Sequence, residues 1–199
     1  DRLNVWVNGV PIYGRNGVSL LHLSSHDYST DLTISLDEGD NFIEVSTMNS
    51  VGVESLKQNI EIVHENPNAE RNLYFVGIGA CQFKDASMNL DYADKDIRDI
   101  AQLYGKSSAF NNVYVDTFLN KAVNKNIFED IKTHLKNATV YDQVVVMYSG
   151  HGVLDDDMNY YLSSYAIDFE KPAKKGIPYE MLDNLLDNIA PRKKLILID

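Results

Sequence analysis

Three strongly apolar runs constrain the fold of this chain more than any other feature of its sequence. They are LYFVGIG at residues 73–79, VVVMY at 144–148 and LILI at 195–198. Strands that are buried on both faces of a parallel sheet read as near-continuous apolar runs, whereas half-exposed strands alternate apolar and polar residues. With a further strand predicted over Val113–Leu119, these runs predict a parallel sheet in the second part of the chain.

Helical patterns separate these runs. Apolar residues recur about every 3.6 positions in three segments, which places them on one helix face. They are Ile97, Ile100, Ala101 and Tyr104; Ile127, Phe128, Ile131 and Leu135; and Leu182, Leu185, Leu186 and Ile189. Alternating strands and helices predict an α/β fold, a parallel sheet with helices on both faces. Ligands bind beyond the carboxyl ends of the strands in such sheets, so we expect the chemistry there.

The first part of the chain has a different pattern. Short alternating segments at residues 3–7, 30–36, 41–46 and 58–63 predict strands. Their spacing predicts a small all-β domain, an Ig-like sandwich, over residues 1–66. The polar segment 64–70 is interpreted as a linker, and residues 67–199 form the predicted α/β domain. Because the β part has no group of residues that suggests a catalytic or binding site, we expect it to position the second domain or a partner.

The charge balance excludes several classes of partner. The chain has 18 Lys and Arg residues against 29 Asp and Glu residues, a net charge of -11. It therefore lacks the basic surface that nucleic acids and anionic membranes require, and we predict neither as a partner. No apolar run approaches the ~18 residues of a transmembrane helix. The single cysteine, Cys81, rules out an intrachain disulfide and suits a reducing compartment, so we predict a cytoplasmic protein.

The third strand leads into the motif Tyr148-Ser149-Gly150-His151-Gly152. It places an imidazole at the carboxyl end of a buried strand, where a histidine can act as a general acid or base near neutral pH. The two glycines allow close approach to the backbone. The N–H of Gly152 is a candidate donor to a developing oxyanion. The alternative is a turn histidine that is bonded to a carbonyl group.

The strands and this motif resemble the caspase-like cysteine peptidases, the family of caspases, paracaspases and metacaspases. The resemblance covers residues 71–199. It rests on LYFVGIG at 73–79, YADKD at 92–96, VVMYSGHG at 145–152 and KLILID at 194–199. The chain is most similar to bacterial members in which a β domain precedes the peptidase. The resemblance implies a caspase-like parallel-sheet sandwich and an endopeptidase with a Cys-His dyad, in which His151 is the catalytic histidine.

The same resemblance places the nucleophile outside this sequence. In the family the fourth strand continues into an Asp-Ala-Cys segment, so the catalytic cysteine is expected two residues after Asp199. We therefore expect this fragment alone to be inactive. The predicted partners are a peptide or protein substrate and, as a candidate second chain, the protein's own carboxy-terminal half. Cys81 follows a different strand and is interpreted as a small buried residue. A non-catalytic adaptor or binding module is the alternative function.

Acidic residues suggest two further roles. Asp96 matches the aspartate that lines the specificity pocket of metacaspases, which implies cleavage after a basic residue. The alternative is that the carboxylates of this segment only stabilise a helix amino terminus. The clustered carboxylates of Asp155, Asp156 and Asp157 are ligands that suit Ca²⁺, but their spacing is not that of an EF-hand loop. We favour a solvated turn and predict no cofactor, with Ca²⁺ as the alternative.

Overall fold

The computed structural model describes residues 1–14, 16–23 and 27–199. These residues divide into two compact units, Asp1–Ala69 and Glu70–Asp199. The division falls within the polar segment 64–70, in which the sequence analysis drew its boundary after residue 66. Each unit has its own hydrophobic core.

The described residues of the first unit form a single antiparallel sheet. Its strands are β1 (Arg2–Val7), β2 (Val10–Pro11), β3 (Val18–Ser19), β4 (Gly39–Met48) and β5 (Gln58–His64). The strand order is β2-β1-β4-β5, and β3 pairs with β1. Alternate residues of β1 face the core, where Leu3, Val5 and Val7 are buried with Ile43 of β4.

The predicted strand over residues 30–36 is wrong. Residues 27–37 have no regular secondary structure, yet Ile34 and Leu36 pack against the core of the sheet. The apolar residues of this segment therefore face the core, but its backbone does not form the hydrogen bonds to a neighbouring strand that define a β-strand. Among the described residues this unit is all-β, but an irregular segment contributes to its core where a second sheet was expected.

Residues 70–199, all of which the structure describes, form seven strands and three α-helices. The strands are β6 (Leu73–Gly79), β7 (Val113–Leu119), β8 (Gln143–Ser149), β9 (Gly152–Leu154), β10 (Tyr160–Leu162), β11 (Ile177–Pro178) and β12 (Lys193–Ile198). The helices are α1 (Ala93–Gly105), α2 (Ile127–Leu135) and α3 (Tyr179–Leu185). Four strands make a parallel sheet in the order β12-β8-β6-β7, which confirms the predicted α/β fold.

Helices cover both faces of the parallel sheet. Alternate residues of β8 point to opposite faces. Val145 and Met147 join the core that contains Ile97 of α1, whereas Val146 and Tyr148 join the larger core formed with α2 and α3. Because both faces are covered, β6 and β8 are buried over nearly their whole length, which explains their continuous apolar sequence.

Irregular structure is concentrated where the parallel strands end, which we call the carboxyl edge. Short 3-10 helices at Ala86–Met88 and Asn120–Ala122 follow β6 and β7. A small antiparallel sheet in the order β11-β10-β9 follows β8. None of the helices in the described part of the chain combines the length and the apolar character that are needed to cross a membrane.

Two lysine side chains bind the carboxyl end of α3. The ammonium group of Lys132, on α2, donates to the carbonyl oxygens of Asn184 at 2.6 Å and Leu185 at 3.1 Å. Lys194, on β12, donates to the carbonyl oxygen of Leu186 at 2.8 Å. The last carbonyl groups of a helix have no partner within it and favour a cation. These bonds therefore join α2 and β12 to the end of α3.

We expect Lys132→Met to destabilise the chain. The variant keeps an apolar stem but removes the donor to three carbonyl groups, those of Asn184, Leu185 and Asp187, which should lower the free energy of unfolding by about 1–2 kcal/mol. Urea denaturation of the whole chain, followed by circular dichroism, measures the change. The control Lys136→Met replaces an exposed lysine one turn further along, and its effect should stay below about 0.5 kcal/mol. An equal loss in both variants would contradict the role of Lys132.

Candidate active site

Backbone hydrogen bonds join the ends of β8 and β12 at the carboxyl edge. The N–H of Asp199 donates to the carbonyl oxygen of Tyr148 at 3.0 Å, and the N–H of Gly150 donates to the carbonyl oxygen of Asp199 at 3.0 Å. His151 follows directly and is half-buried. The histidine therefore lies at the carboxyl edge beside the end of β12, and not within the hydrophobic core.

Three groups surround the imidazole of His151. Its Nε2 atom lies 2.8 Å from the carbonyl oxygen of Met88. The ring centroid of Phe83 lies 5.3 Å away at an interplanar angle of 37°, and that of Phe169 lies 5.4 Å away at 86°. The two phenylalanine rings also contact each other edge to face. The imidazole and the two phenylalanine rings thus form a cluster in which each ring contacts the other two, and one nitrogen of the imidazole is in a hydrogen bond.

The contact with Met88 determines which nitrogen of His151 carries the hydrogen. A carbonyl oxygen only accepts, so Nε2 is the donor in this bond. In the neutral ring Nδ1 is then unprotonated and has a lone pair. This inferred tautomer is the one that a general base requires, because one nitrogen orients the ring while the other can take a proton.

Side-chain hydrogen bonds in the loop after β6 present the carbonyl group of Met88. Asp85 accepts from the N–H and the hydroxyl of Ser87, at 3.1 and 2.7 Å, and so caps the short 3-10 helix that contains Met88. Asn89 accepts from the N–H of Phe83 at 2.8 Å, which closes the loop. The polar residues of the loop therefore satisfy its backbone, while Phe83 and Met88 pack inward.

The loop between β10 and β11 brings Phe169 to the histidine. The N–H of Lys84 donates to the carbonyl oxygen of Tyr165 at 2.9 Å, which joins this loop to the one after β6. An open cleft of about 650 Å³ lies between the two loops, and Ile167 and Phe169 contribute apolar surface to it. Phe169 thus both lines the cleft and contacts the imidazole of His151.

Close contacts explain both glycines of the motif. A Cβ atom at Gly150 would lie 2.7 Å from the hydroxyl oxygen of Tyr148 and 3.1 Å from the carbonyl oxygen of Ala80. A Cβ atom at Gly152 would collide with the hydroxyl group of Tyr160. The glycines thus allow close approach to the backbone, but the groups that approach are tyrosine hydroxyls of the chain itself.

Cys81 also lies near the carboxyl edge, two residues after the end of β6. Its place after β6 does not by itself exclude it as a nucleophile, because β6 borders β8 just as β12 does. What disfavours Cys81 is its environment. Its buried thiol lies 3.1 Å from Oδ1 of Asn120, and burial together with the carboxylate of Asp94 raises the pKa of the thiol. A nucleophilic cysteine requires the opposite shift.

The acidic residues named from the sequence are placed as follows. Asp96 is half-buried in the first turn of α1, and its backbone N–H donates to the carbonyl oxygen of Tyr92 at 2.9 Å. Asp155 accepts from the N–H groups of Asp157 and Asn159, at 3.0 and 2.9 Å, and so closes a turn. Within the described residues no three His, Cys, Asp or Glu side chains come together as metal ligands. The interpretation of the acidic cluster stays a prediction.

The histidine of this α/β sheet lies at the carboxyl edge, where ligands bind in such folds. Residues 76–199 match the family model described as caspase domain. The match covers more than half of the chain, and the chain belongs to this family of cysteine peptidases. The resemblance to caspase-like peptidases and the predicted fold are therefore confirmed.

The chain is also similar in structure to a protein of known structure, at low sequence identity. A crystal structure of a protein from Geobacter sulfurreducens is similar to this chain, with a TM-score of 0.49 and 16% sequence identity. The similarity covers 64% of this chain and 48% of that protein, so the chain spans about half of its length. No curated protein sequence matches the chain.

Sequence reasoning missed the groups that orient His151. Met88 acts through its backbone carbonyl, which leaves no signal in the side chain. Phe83 and Phe169 are single aromatic residues within the polar segments QFKD and DFEK. An isolated aromatic residue in a polar loop is the signal that would have marked both as packed against the site.

The environment of Cys81 predicts slow chemical modification. We expect iodoacetamide to alkylate Cys81 at pH 8 at least about 10-fold more slowly in the folded chain than in urea, because only the accessible thiolate reacts. Mass spectrometry measures both rates. Asp94→Asn should raise the rate in the folded chain, since it removes the negative charge beside the thiol, whereas the control Asp99→Asn on the same helix should not. Equal rates in the folded and unfolded chain would refute this account.

Proposed function

We propose that this chain is the histidine-bearing part of a cysteine endopeptidase that uses a Cys-His dyad. Membership of the caspase-domain family supports a cysteine-peptidase-like function. The observation that carries the proposal is the ring of His151, which Met88 orients at the carboxyl edge beside the end of β12. Adjacent strands lie ~4.8 Å apart. A cysteine presented by the residues that follow β12 would therefore lie near Nδ1 of His151.

In the proposed mechanism His151 acts first as a base and then as an acid. Nδ1 takes the proton of the cysteine thiol, whose ordinary pKa of ~8.5 leaves only a few per cent as thiolate at neutral pH. The sulfur bonds to the scissile carbonyl carbon, and the N–H of Gly152 donates to the oxyanion. The protonated Nδ1 gives its proton to the leaving amine as the C–N bond breaks, and water then hydrolyses the thioester. The bond from Nε2 to Met88 keeps both transfers on Nδ1.

The acidic first turn of α1 supports cleavage after a basic residue. Asp94 and Asp96 both lie in this turn, which follows the loop after β6. The carboxylate of Asp94 is already paired with Arg98 at 2.8 Å. We therefore assign recognition of a substrate Arg or Lys to Asp96. The cleft beside Phe169 offers the rest of the peptide a surface that borders the histidine.

The outer edge of β12 supports a further partner. Within the described residues β12 is the last strand of the parallel sheet, and its Leu195 and Ile198 are 45% and 47% exposed. Strands of parallel sheets are normally covered on both faces. We propose that the protein's own carboxy-terminal half packs here, as a continuation or as a second chain, and brings the cysteine. Residues 1–199 alone should then lack peptidase activity.

The test of this function uses the encoded polypeptide that includes the residues after Asp199. We expect it to cleave fluorogenic peptides with Arg or Lys before the scissile bond, and not peptides with Asp, while residues 1–199 alone cleave neither. His151→Ala should lower kcat by about 10²–10⁴-fold, because it removes the acid–base group. Assays with and without Ca²⁺ test the cofactor prediction at the same time.

The exposed His22 provides the control, since His22→Ala should leave activity unchanged. Full activity of His151→Ala would show that the histidine has no part in the chemistry. A residue other than cysteine at the second position after Asp199 would favour the adaptor, because the family's nucleophile would then be missing.

The specificity assignment has its own test. Asp96→Asn in the same polypeptide should raise KM for Arg reporters about 10-fold or more, since a paired charge contributes roughly 1.5–3 kcal/mol to such contacts. Asp99→Asn, an identical substitution one turn later on α1, should leave KM within twofold. Steady-state kinetics measure both values. Unchanged KM in Asp96→Asn would mean that Asp96 only stabilises the amino terminus of α1.

A further inference from the structure

The backbone of His151 is held by donors that are separate from those around its ring. The carbonyl oxygen of His151 accepts from the N–H of Ser163 at 2.9 Å. The hydroxyl oxygen of Tyr148 lies 3.2 Å from the same carbonyl oxygen, within hydrogen-bond distance. Ser163 follows β10 directly, and Tyr148 lies within β8, so the two donors reach the histidine from different strands.

The hydroxyl group of Tyr148 is enclosed by protein. Tyr148 and Ser163 are both fully buried, and their hydroxyl oxygens lie 2.7 Å apart. Burial raises the pKa of Tyr148 well above its usual range, so the hydroxyl keeps its hydrogen. Each hydroxyl has one hydrogen to give. When Ser163 donates to Tyr148, the hydrogen of Tyr148 goes to the carbonyl oxygen of His151 or to that of Ser163, which lies 3.1 Å away.

The residues that flank His151 make such a restraint necessary. Gly150 and Gly152 have no Cβ atom, and glycine restrains its own backbone less than any other residue. The direction of the imidazole therefore depends on tertiary contacts on either side of the histidine. Gly150 also makes room for the hydroxyl of Tyr148, because a Cβ atom there would lie 2.7 Å from its oxygen.

We propose that Tyr148 is a positioning residue, whose buried hydroxyl fixes the backbone of His151 so that Nδ1 faces the end of β12. This rests on the proposed function of His151 as the acid–base group. Met88 fixes the ring at Nε2, and Tyr148 with Ser163 fixes the carbonyl group of the same residue. Two points on one residue determine its orientation, whereas a single bond to Nε2 leaves the ring able to move with its loop.

The experiment that tests this inference observes His151 directly by NMR in the ¹⁵N-labelled chain, and it requires no enzymatic activity. In the wild type we expect the tautomer with hydrogen on Nε2. In Tyr148→Phe we expect the Nε2 hydrogen of His151 to exchange with water at least about 10-fold faster, because the loop opens more often. For Tyr148→Phe, His134 serves as the internal reference, since its ring is bonded to Asp116 on another strand.

Tyr74→Phe is the matched control, since Tyr74 is a buried tyrosine on the neighbouring strand β6 and packs against His134. It should leave exchange at His151 unchanged. If Tyr148→Phe does not fold, Ser163→Ala removes the nearest partner of the hydroxyl and should raise the exchange rate in the same direction. Exchange at His151 within twofold of the wild type in a folded variant would overturn the inference.

A second measurement links positioning to catalysis. In the polypeptide that carries the nucleophile, Tyr148→Phe should lower kcat about 10-fold with KM within twofold, because small displacements of a catalytic group can cost on the order of 10²-fold. A merely structural role would lower the amount of folded enzyme, which also lowers the apparent kcat at constant KM. We therefore refer kcat to the concentration of active sites, determined by titration, because a merely structural role would leave kcat per active site unchanged. Absence of peptidase activity in the wild type would defeat the proposed function, yet the NMR result would still decide the role of Tyr148.

Discussion

The parallel pairing of β8 with both of its neighbours is the constraint on which the site depends. Parallel strands end at the same edge, so the segments that follow β6, β8 and β12 meet there. The backbone bonds between Asp199 and the end of β8 fix the register at this edge. As a result His151 receives its orienting carbonyl from the loop after β6, while the residue before it is bonded to Asp199 at the end of β12. The central position of β8 thus places its histidine beside two neighbouring strands, one that orients the ring and one that, in the proposed function, leads to the nucleophile.

Loops at the carboxyl edge are stable because their polar groups are satisfied within the chain. Asp85 and Asn89 accept from backbone N–H groups of the loop after β6, and the side chain of Asn120 accepts from the N–H groups of Cys81 and Gln82, both at 3.0 Å. Unsatisfied backbone groups would be costly beside a hydrophobic core. These bonds allow an irregular segment to place a single carbonyl oxygen accurately against a histidine, which a mobile loop would not do.

The sequence predicted those features that depend on local patterns. The strand at Val113–Leu119 and the helix faces at Ile97 and Ile131 followed from periodicity, and the motif around His151 followed from its place after an apolar run. The prediction of a strand over residues 30–36 was wrong, because the alternation of apolar and polar residues there reflects side-chain packing alone. The contacts of Met88, Phe169 and Tyr148 with the histidine depend on chain segments that meet only in the folded sheet. No spacing in the sequence encodes them.

Strand order alone does not determine which cysteine position suits catalysis. Both β6 and β12 border β8, and Cys81 follows β6 closely. Its thiol, however, lies against Asn120, and both burial and the carboxylate of Asp94 favour its protonated form. A thiol at the end of β12 would instead meet the lone pair of Nδ1 at a half-buried histidine, where proton transfer has an acceptor. The electrostatic environment therefore distinguishes two positions that strand order does not: it holds Cys81 on the β6 side in its protonated form, whereas the proposed function places the reactive thiol on the β12 side.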